Sequence, residues 1–164
     1  MQDLKLIAAT KQDIEAIAAL AKIVWNQHYP AIISRQQIDY MLQRMYSSES
    51  LAAQMDENHL FYFVNANQAN IGFISVHNET GNNWFMNKFY IDQAVAAKGI
   101  GGKAFEALKE KLDPEKITLT VNRQNYKSIN FYFKNGFKIE QVADFDIGNG
   151  YVMNDFVMVW EKRY

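Results

Sequence analysis

Lys98-Gly99-Ile100-Gly101-Gly102 stands between an apolar run that ends at Ile91 and a helical pattern that carries Phe105, Leu108 and Leu112. Glycines at a strand-to-helix turn let a ligand approach the backbone closely, because no Cβ intervenes. The first turn of the helix adds unpaired N–H groups and the positive end of its dipole. The chemistry this permits is the binding of a phosphate or pyrophosphate. Alone, Gly-x-Gly is equally a tight turn with close packing. Two nucleotide readings fail on spacing. A dinucleotide fingerprint follows the first strand of its fold, whereas Gly99 comes too late for such a unit to be completed behind it. A P-loop needs Gly-Lys-Ser/Thr, and Gly102-Lys103-Ala104 lacks the hydroxyl.

A second group of residues follows: Val121-Asn122-Arg123-Gln124-Asn125, then Ser128-Ile129-Asn130-Phe131-Tyr132-Phe133-Lys134-Asn135-Gly136-Phe137. Asn125 reads as a helix cap. Tyr132 between two phenylalanines reads, by itself, as core with its hydroxyl satisfied. The histidines are scattered, with no His-x-x-x-His or carboxylate spacing, so no metal site is expected. With no cysteine, disulfides, thiolate zinc sites and a cysteine nucleophile are all excluded. The methionines at 41, 45, 55, 86, 153 and 158 read as core filler. Asp144, Asp146 and Asp155 border the last hairpin; they read as solvated carboxylates, with attraction of a cationic polyamine as the alternative.

These residues need a scaffold, and 164 residues at 49% hydrophobic content can bury a core as one domain, residues 1–164. Net charge is -1, from 17 basic and 18 acidic residues, which gives no whole-molecule field toward nucleic acid or an anionic membrane. Neither partner is expected. Met1–Thr10 has no secretory pattern and no run approaches the roughly 20 apolar residues of a membrane span, so the expectation is a cytoplasmic protein. Leu4–Ala9 reads as a strand, and Thr10 with Asp13 opens a helix to about Trp25. Ser34 with Gln37 opens another, and Ser48–Gln54 a short third. Leu60–Val64, Ile71–Val76 and Trp84–Ile91 form a meander. A helix over Lys103–Leu112, a strand over Ile117–Val121, a helix over Asn125–Lys134 and strands Phe137–Phe145 and Tyr151–Glu161 complete the chain. That order predicts an α/β protein of three layers with a mixed sheet.

The spacing of the two groups resembles the GNAT superfamily of N-acetyltransferases. Tyr90-Ile91 matches its strand end, Gly99 and Gly101 its pyrophosphate loop, Asn125 the start of its late helix, and Phe131-Tyr132 with Asn135-Gly136-Phe137 that helix and its stop. The match is specific over roughly residues 84–137. Trp25-Asn26, the Ser34 helix and Asp155-Phe156-Val157-Met158 further resemble bacterial polyamine acetyltransferases of the PaiA type. The resemblance implies a three-layer α/β/α fold around a mixed, mostly antiparallel sheet. It implies transfer of an acetyl group from acetyl-CoA to a primary amine, of a polyamine-like small molecule or a peptide N-terminus, by direct attack. A non-catalytic CoA- or acyl-CoA-binding sensor of the same fold is the alternative.

By the same resemblance, the backbone of Phe89, Tyr90 and Ile91 pairs with the pantetheine arm, and Ala97, Lys98, Gly99, Ile100, Gly101, Gly102 and Lys103 hold the pyrophosphate. Asn125 and Asn122 reach the CoA arm, and Tyr132 protonates the departing thiolate. Trp25, His28 and Tyr29 lie where relatives bind the acceptor; His28, His77 and Glu79 are the candidate bases. Ala96 and Ala97 replace residues usual in the loop, leaving Lys98 or Lys103 to supply its charge. Relatives dimerise, often through late strands, which nominates Phe156 and Trp160 as contacts of a homodimer.

Overall fold

Alternation with period two and recurrence near 3.6 mark different stretches of this chain, and each stretch becomes one element. The structure is a computed structural model that describes residues 3–164. β1 (Leu4–Ala8) leads through one 3-10 turn into α1 (Ile14–His28), α2 (Arg35–Tyr46) and α3 (Ser48–Asp56). The meander β2 (Leu60–Ala66), β3 (Ala69–Thr80) and β4 (Asn83–Ile91) follows, then α4 (Ile100–Leu112), β5 (Lys116–Asn122), α5 (Tyr126–Lys134), β6 (Lys138–Gly148) and β7 (Tyr151–Glu161).

The seven strands form one sheet in the order β1-β2-β3-β4-β5-β7-β6, in which only β4 and β5 run parallel. Side chains alternate across it, so the sheet builds two cores. On one face Phe61, Phe63 and Phe73 pack beneath Ile17, Val24, Ile38 and Leu51 of α1–α3. On the other, Val64, Ile74, Met86 and Leu119 pack beneath Ala104, Phe105 and Leu108 of α4 and Ile129 of α5. This is the three-layer α/β/α arrangement with a mixed, mostly antiparallel sheet that the sequence predicts.

One local feature positions everything functional. β4 pairs with β5 over only Asn83↔Lys116, Trp84↔Ile117 and Phe85↔Thr118. Beyond Phe85, β4 stays on β3 as far as Ile91, and β5 stays on β7 as far as Asn122. At the point of divergence β4 carries a bulge, with Lys88 opposite Ser75 and Met86 opposite Val76, leaving Asn87 as the extra residue. A bulge bends its strand and adds twist, which turns β4 away from its parallel neighbour.

Several expectations change in detail. The Thr10 box forms, with the Thr10 N–H donating to Asp13 Oδ2 at 2.8 Å. At Ser34 only half a box forms: the Gln37 N–H donates to Ser34 Oγ at 3.1 Å, but the Gln37 amide turns inward to the Val152 carbonyl at 3.4 Å. α1 runs a turn past Trp25, so His28 sits on the helix and not between helices. α4 begins at Ile100, three residues before Lys103, because Gly99 takes φ 82° and caps it from the left-handed region. Phe156 and Trp160 are half-buried against the α4–α5 core, with Trp160 edge-on to Phe105 at 6.4 Å. The exposed apolar residues of the hairpin are Ile139, Val142, Phe145 and Val152.

Candidate active site

Where β4 and β5 part, two cavities open that share a wall. The first, about 350 Å³, is lined by Ile91, residues 96–102, Ser128 and Phe131. The second, about 440 Å³, lies toward α1 and α2, between the diverging segments Met86–Tyr90 and Leu119–Asn122. Phe89, Ser128 and Tyr132 line both.

The first cavity is built around the start of α4. The N–H groups of Gly101 and Gly102 have no backbone partner there, whereas that of Lys103 already donates to the Gly99 carbonyl at 3.2 Å. A Cβ on Gly101 would lie 2.9 Å from the Phe131 ring, so glycine keeps α4 and α5 in close approach. Two free N–H groups at a helix start, open to a cavity, make a cradle that a pyrophosphate fits. Ala97 does not take positive φ and is unstrained in the loop, and Ala96 packs against the core. Lys98 lines the cavity and Lys103 does not. Lys103 lies instead on the outer side of α4 with Leu4, Glu106 and Asn135. Lys127, which the sequence pattern did not single out, stands on the cavity wall and donates to Gln93 Oε1 at 2.6 Å.

Tyr132 is buried, packed edge-on to Phe131 and Phe137 at 5.5 and 5.4 Å. Burial, with Tyr29 adding to it, pushes its phenol well above the ordinary tyrosine value, so it stays a hydroxyl donor at any working pH. Ser128 is one turn earlier on the same face of α5, an i,i+4 relation that is readable from the sequence. Asn125 caps α5, its Oδ1 accepting from the Ser128 N–H at 3.3 Å. Asn122 Oδ1 accepts from the Gln124 N–H at 2.9 Å. Both asparagines border the second cavity, not the first.

The second cavity is aromatic and methionine-lined. Trp25 and Tyr29 face it from α1, Met41 and Met45 from α2, and Phe145 and Met153 from the last hairpin. Tyr29 and Tyr90 join hydroxyls at 2.9 Å, and burial raises the Tyr29 phenol to about 12. Of the acceptor-side residues, Trp25 and Tyr29 are here, while His28 lines the first cavity. Burial and the nearby Lys127 lower the His28 imidazole, so it is neutral at pH 7, and its Nε2 is buried without a partner.

The other nominated bases are elsewhere. His77 stacks on His59 at 4.6 Å and meets Asn87 Oδ1 at 3.0 Å, and it lines neither cavity. Glu79 is exposed near the end of β3 and lines neither cavity. Asp144 pairs with Arg123 at 2.9 Å and Asp146 accepts from the Gly148 N–H at 2.8 Å; both are exposed. Asp155 is the exception among the hairpin carboxylates: it is buried and lines the second cavity. Lys88, also buried there, donates to Gln54 Oε1 at 2.7 Å and sits over the Tyr46 and Phe61 rings, and burial lowers its ammonium to about 8. The bulge at Asn87 turns Lys88 to the α1–α3 face, against alternation counted from Trp84 and Met86, so no sequence signal says that a lysine is buried there. Among the described residues there is no cluster of three metal-ligating side chains, and no helix is long and apolar enough to cross a membrane.

Residues 31–149 match the family model described as an acetyltransferase (GNAT) domain. A spermidine N(1)-acetyltransferase of Thermoplasma acidophilum is 29% identical over 161 residues, covering 93% of this chain and 92% of that protein. The crystal structure of a PaiA N-acetyltransferase from the same organism in complex with coenzyme A superposes with a TM-score of 0.77 at 27% identity, over 98% of this chain and 99% of that one. A GNAT family acetyltransferase from Elizabethkingia anophelis with acetyl-CoA bound shares the fold, with a TM-score of 0.59 at 14% identity over 97% and 98% of the two chains.

Proposed function

The chain belongs to the GNAT acetyltransferase family, and from that premise we propose that it moves the acetyl group of acetyl-CoA to the primary amine of a small, polyamine-like molecule or a peptide N-terminus. The observation that carries this reading is the parting of β4 from β5 after Phe85, with Tyr132 in the wall between the two cavities it opens. When bound, acetyl-CoA supplies an activated acyl thioester. The backbone of Phe89, Tyr90 and Ile91, unpaired on the β5 side, presents a strand edge on which an extended pantetheine arm can lie. An N–H of that edge stabilises charge growing on the thioester oxygen. The free N–H groups of Gly101 and Gly102, with Lys98 beside them, hold the pyrophosphate.

The Tyr132 hydroxyl donates to the sulfur as it leaves. Because burial makes this phenol a weaker acid than a thiol, its part is to hold the sulfur in a hydrogen bond while the amine's proton follows. The Thermoplasma relatives named for spermidine acetylation and as PaiA support a small cationic acceptor. The test is a thiol-release assay with acetyl-CoA across spermidine, n-butylamine, amino acids, aminoglycosides and short peptides. Turnover with an amine of the first two kinds supports the reading. Calorimetric binding of CoA with no release across the panel supports a CoA sensor instead.

A further inference from the structure

The second cavity holds one carboxylate and one basic side chain, Asp155 and Lys88, in a lining otherwise of aromatic, aliphatic, methionine and neutral polar residues. Asp155 is 6% exposed, and its Oδ1 is buried with no hydrogen-bond partner. A buried polar atom left unpaired costs free energy unless something else satisfies it. The nearby cation does not do so: Arg123 spends Nη2 on Asp144 Oδ1 at 2.9 Å and Nη1 on the backbone carbonyls of Ala143 and Asp155, at 3.3 and 3.2 Å. Register fixes the direction of the carboxylate. On β7, Asp155 lies opposite Asn122 of β5, and both line the second cavity, as do Thr120 and Val157, the next residues on that face.

Resting on the acetyl-transfer reading above, we propose that Asp155 receives the reacting ammonium of the acceptor, a primary alkylamine whose chain lies among Trp25, Met41, Met45 and Met153, and takes its proton. The step balances. The ammonium proton passes to an Asp155 oxygen, the nitrogen lone pair forms the N–C bond, and the C–S bond breaks with its electrons on sulfur. Once the N–C bond has formed the nitrogen sheds a second proton, which reaches the sulfur through the Tyr132 hydroxyl, so alkylammonium and acetyl-CoA give the amide, CoA-SH and one proton that Asp155 returns to solvent. Asp144 and Asp146 play no part, since neither lines the cavity.

The electrostatics of the chamber favour this exchange. An alkylammonium in water titrates near 10, too high to yield its proton readily to a carboxylate. Burial raises the Asp155 carboxyl to about 6 against the opposing pull of Arg123 and a hydrogen bond from Thr120, which narrows the gap to the amine. The groups that bear on Asp155 are Arg123 and Thr120 around β5, the latter by a side-chain hydrogen bond, and Asp144 from β6; across the cavity Tyr29, just past the end of α1, has its phenol raised by the Asp155 charge.

The experiment compares the wild type with Asp155→Asn, using spermidine and n-butylamine as probes. Calorimetry measures amine binding to the CoA-loaded protein, and thiol release measures turnover. The expected result is at least tenfold weaker amine binding and at least hundredfold lower kcat/KM for Asp155→Asn, with CoA affinity within twofold of wild type. The wild-type amine affinity should also fall as pH is lowered through about 6, a limb absent from the variant. Unchanged amine affinity and kcat/KM in Asp155→Asn would overturn the assignment while leaving acetyl transfer intact. Failure of the wild type to turn over either amine removes the alkylamine acceptor and this assignment with it, whereas release of no thiol across the whole panel of amines and peptides overturns the acetyl-transfer reading itself. Should the variant fail to fold, the wild-type pH dependence decides alone, and a flat profile from pH 5 to 8 refutes the proposal.

Discussion

At the scale of single residues, the chemistry depends on a few side chains whose burial sets their protonation. Tyr132→Phe removes a hydroxyl but keeps the ring packed on Phe131 and Phe137. Its expected effect is a fall in kcat of about 10²- to 10⁴-fold, the usual range for a lost acid, with CoA affinity nearly unchanged. Single-turnover thiol release alongside calorimetry checks this, and equal rates would remove Tyr132 from the reaction. Lys88 yields a prediction of a different kind. Its folded ammonium titrates at about 8 against an unfolded value near 10.5, so the fold disfavours the charge. Below pH 8 this opposes folding by roughly 3 kcal/mol; the opposition fades as pH rises toward 10.5, where the unfolded chain also loses the proton. Lys88→Met forfeits the bond to Gln54 and the two aromatic contacts, about 1–2 kcal/mol together. The variant should therefore be more stable than wild type at pH 7 by about 1–2 kcal/mol, with the gap closing between pH 8 and 10.5. Denaturant titrations at pH 7 and 10 measure it, and a wild type that is the more stable at pH 7 contradicts it.

At the scale of elements, α4 shows what a sequence discloses and what it withholds. Gly99 and Gly101 announce a backbone site, and the structure gives each glycine its own reason: φ 82° at Gly99 and the Phe131 ring at Gly101. The strands and helices were legible because alternation and helical recurrence are local. The facing of Lys103 was not, because it follows from the helix beginning three residues early at Ile100. The parting of β4 from β5 was invisible for the same reason, since it depends on which partner each strand keeps over residues distant in sequence. His77 reads as a candidate base from its strand, but the sequence carries no sign that it stacks on His59 and lines neither cavity. In the sequence Asp155 is one of three hairpin carboxylates; pairing with β5 separates it from Asp144 and Asp146. A test at this scale is Gly101→Ala. The added Cβ must displace the Phe131 ring, which lines the first cavity and packs on Phe89 at 5.5 Å. Alanine's helix propensity offsets the strain by up to about 1 kcal/mol, so global stability should change little. CoA affinity should fall at least tenfold, equivalent to about 1.4 kcal/mol. A variant that binds CoA as wild type does would show that Phe131 is not part of the CoA wall.

At the scale of the whole molecule, the sheet is continuous, yet three residue pairs are all that join β4 to β5. β1–β4 form an antiparallel unit, as do β5–β7, and the core beneath α4 and α5 draws residues from both. A ligand lying along the free edge of β4 would add backbone pairing where the sheet lacks it, and its pyrophosphate would engage the N–H groups that α4 leaves open. Binding to the native state alone stabilises by mass action, about 2.7 kcal/mol at a free concentration 100 times Kd. For a chain of this length that corresponds to a rise in Tm of about 5–10 °C. The location of the effect matters more than its size. Hydrogen exchange should slow at Phe89–Ile91 and at Gly101 and Gly102 by more than the uniform slowing that global stabilisation gives the paired amides of the core strands. No extra protection at Phe89–Ile91, Gly101 and Gly102 beyond that uniform slowing would mean that CoA stabilises the fold without lying in the gap between β4 and β5.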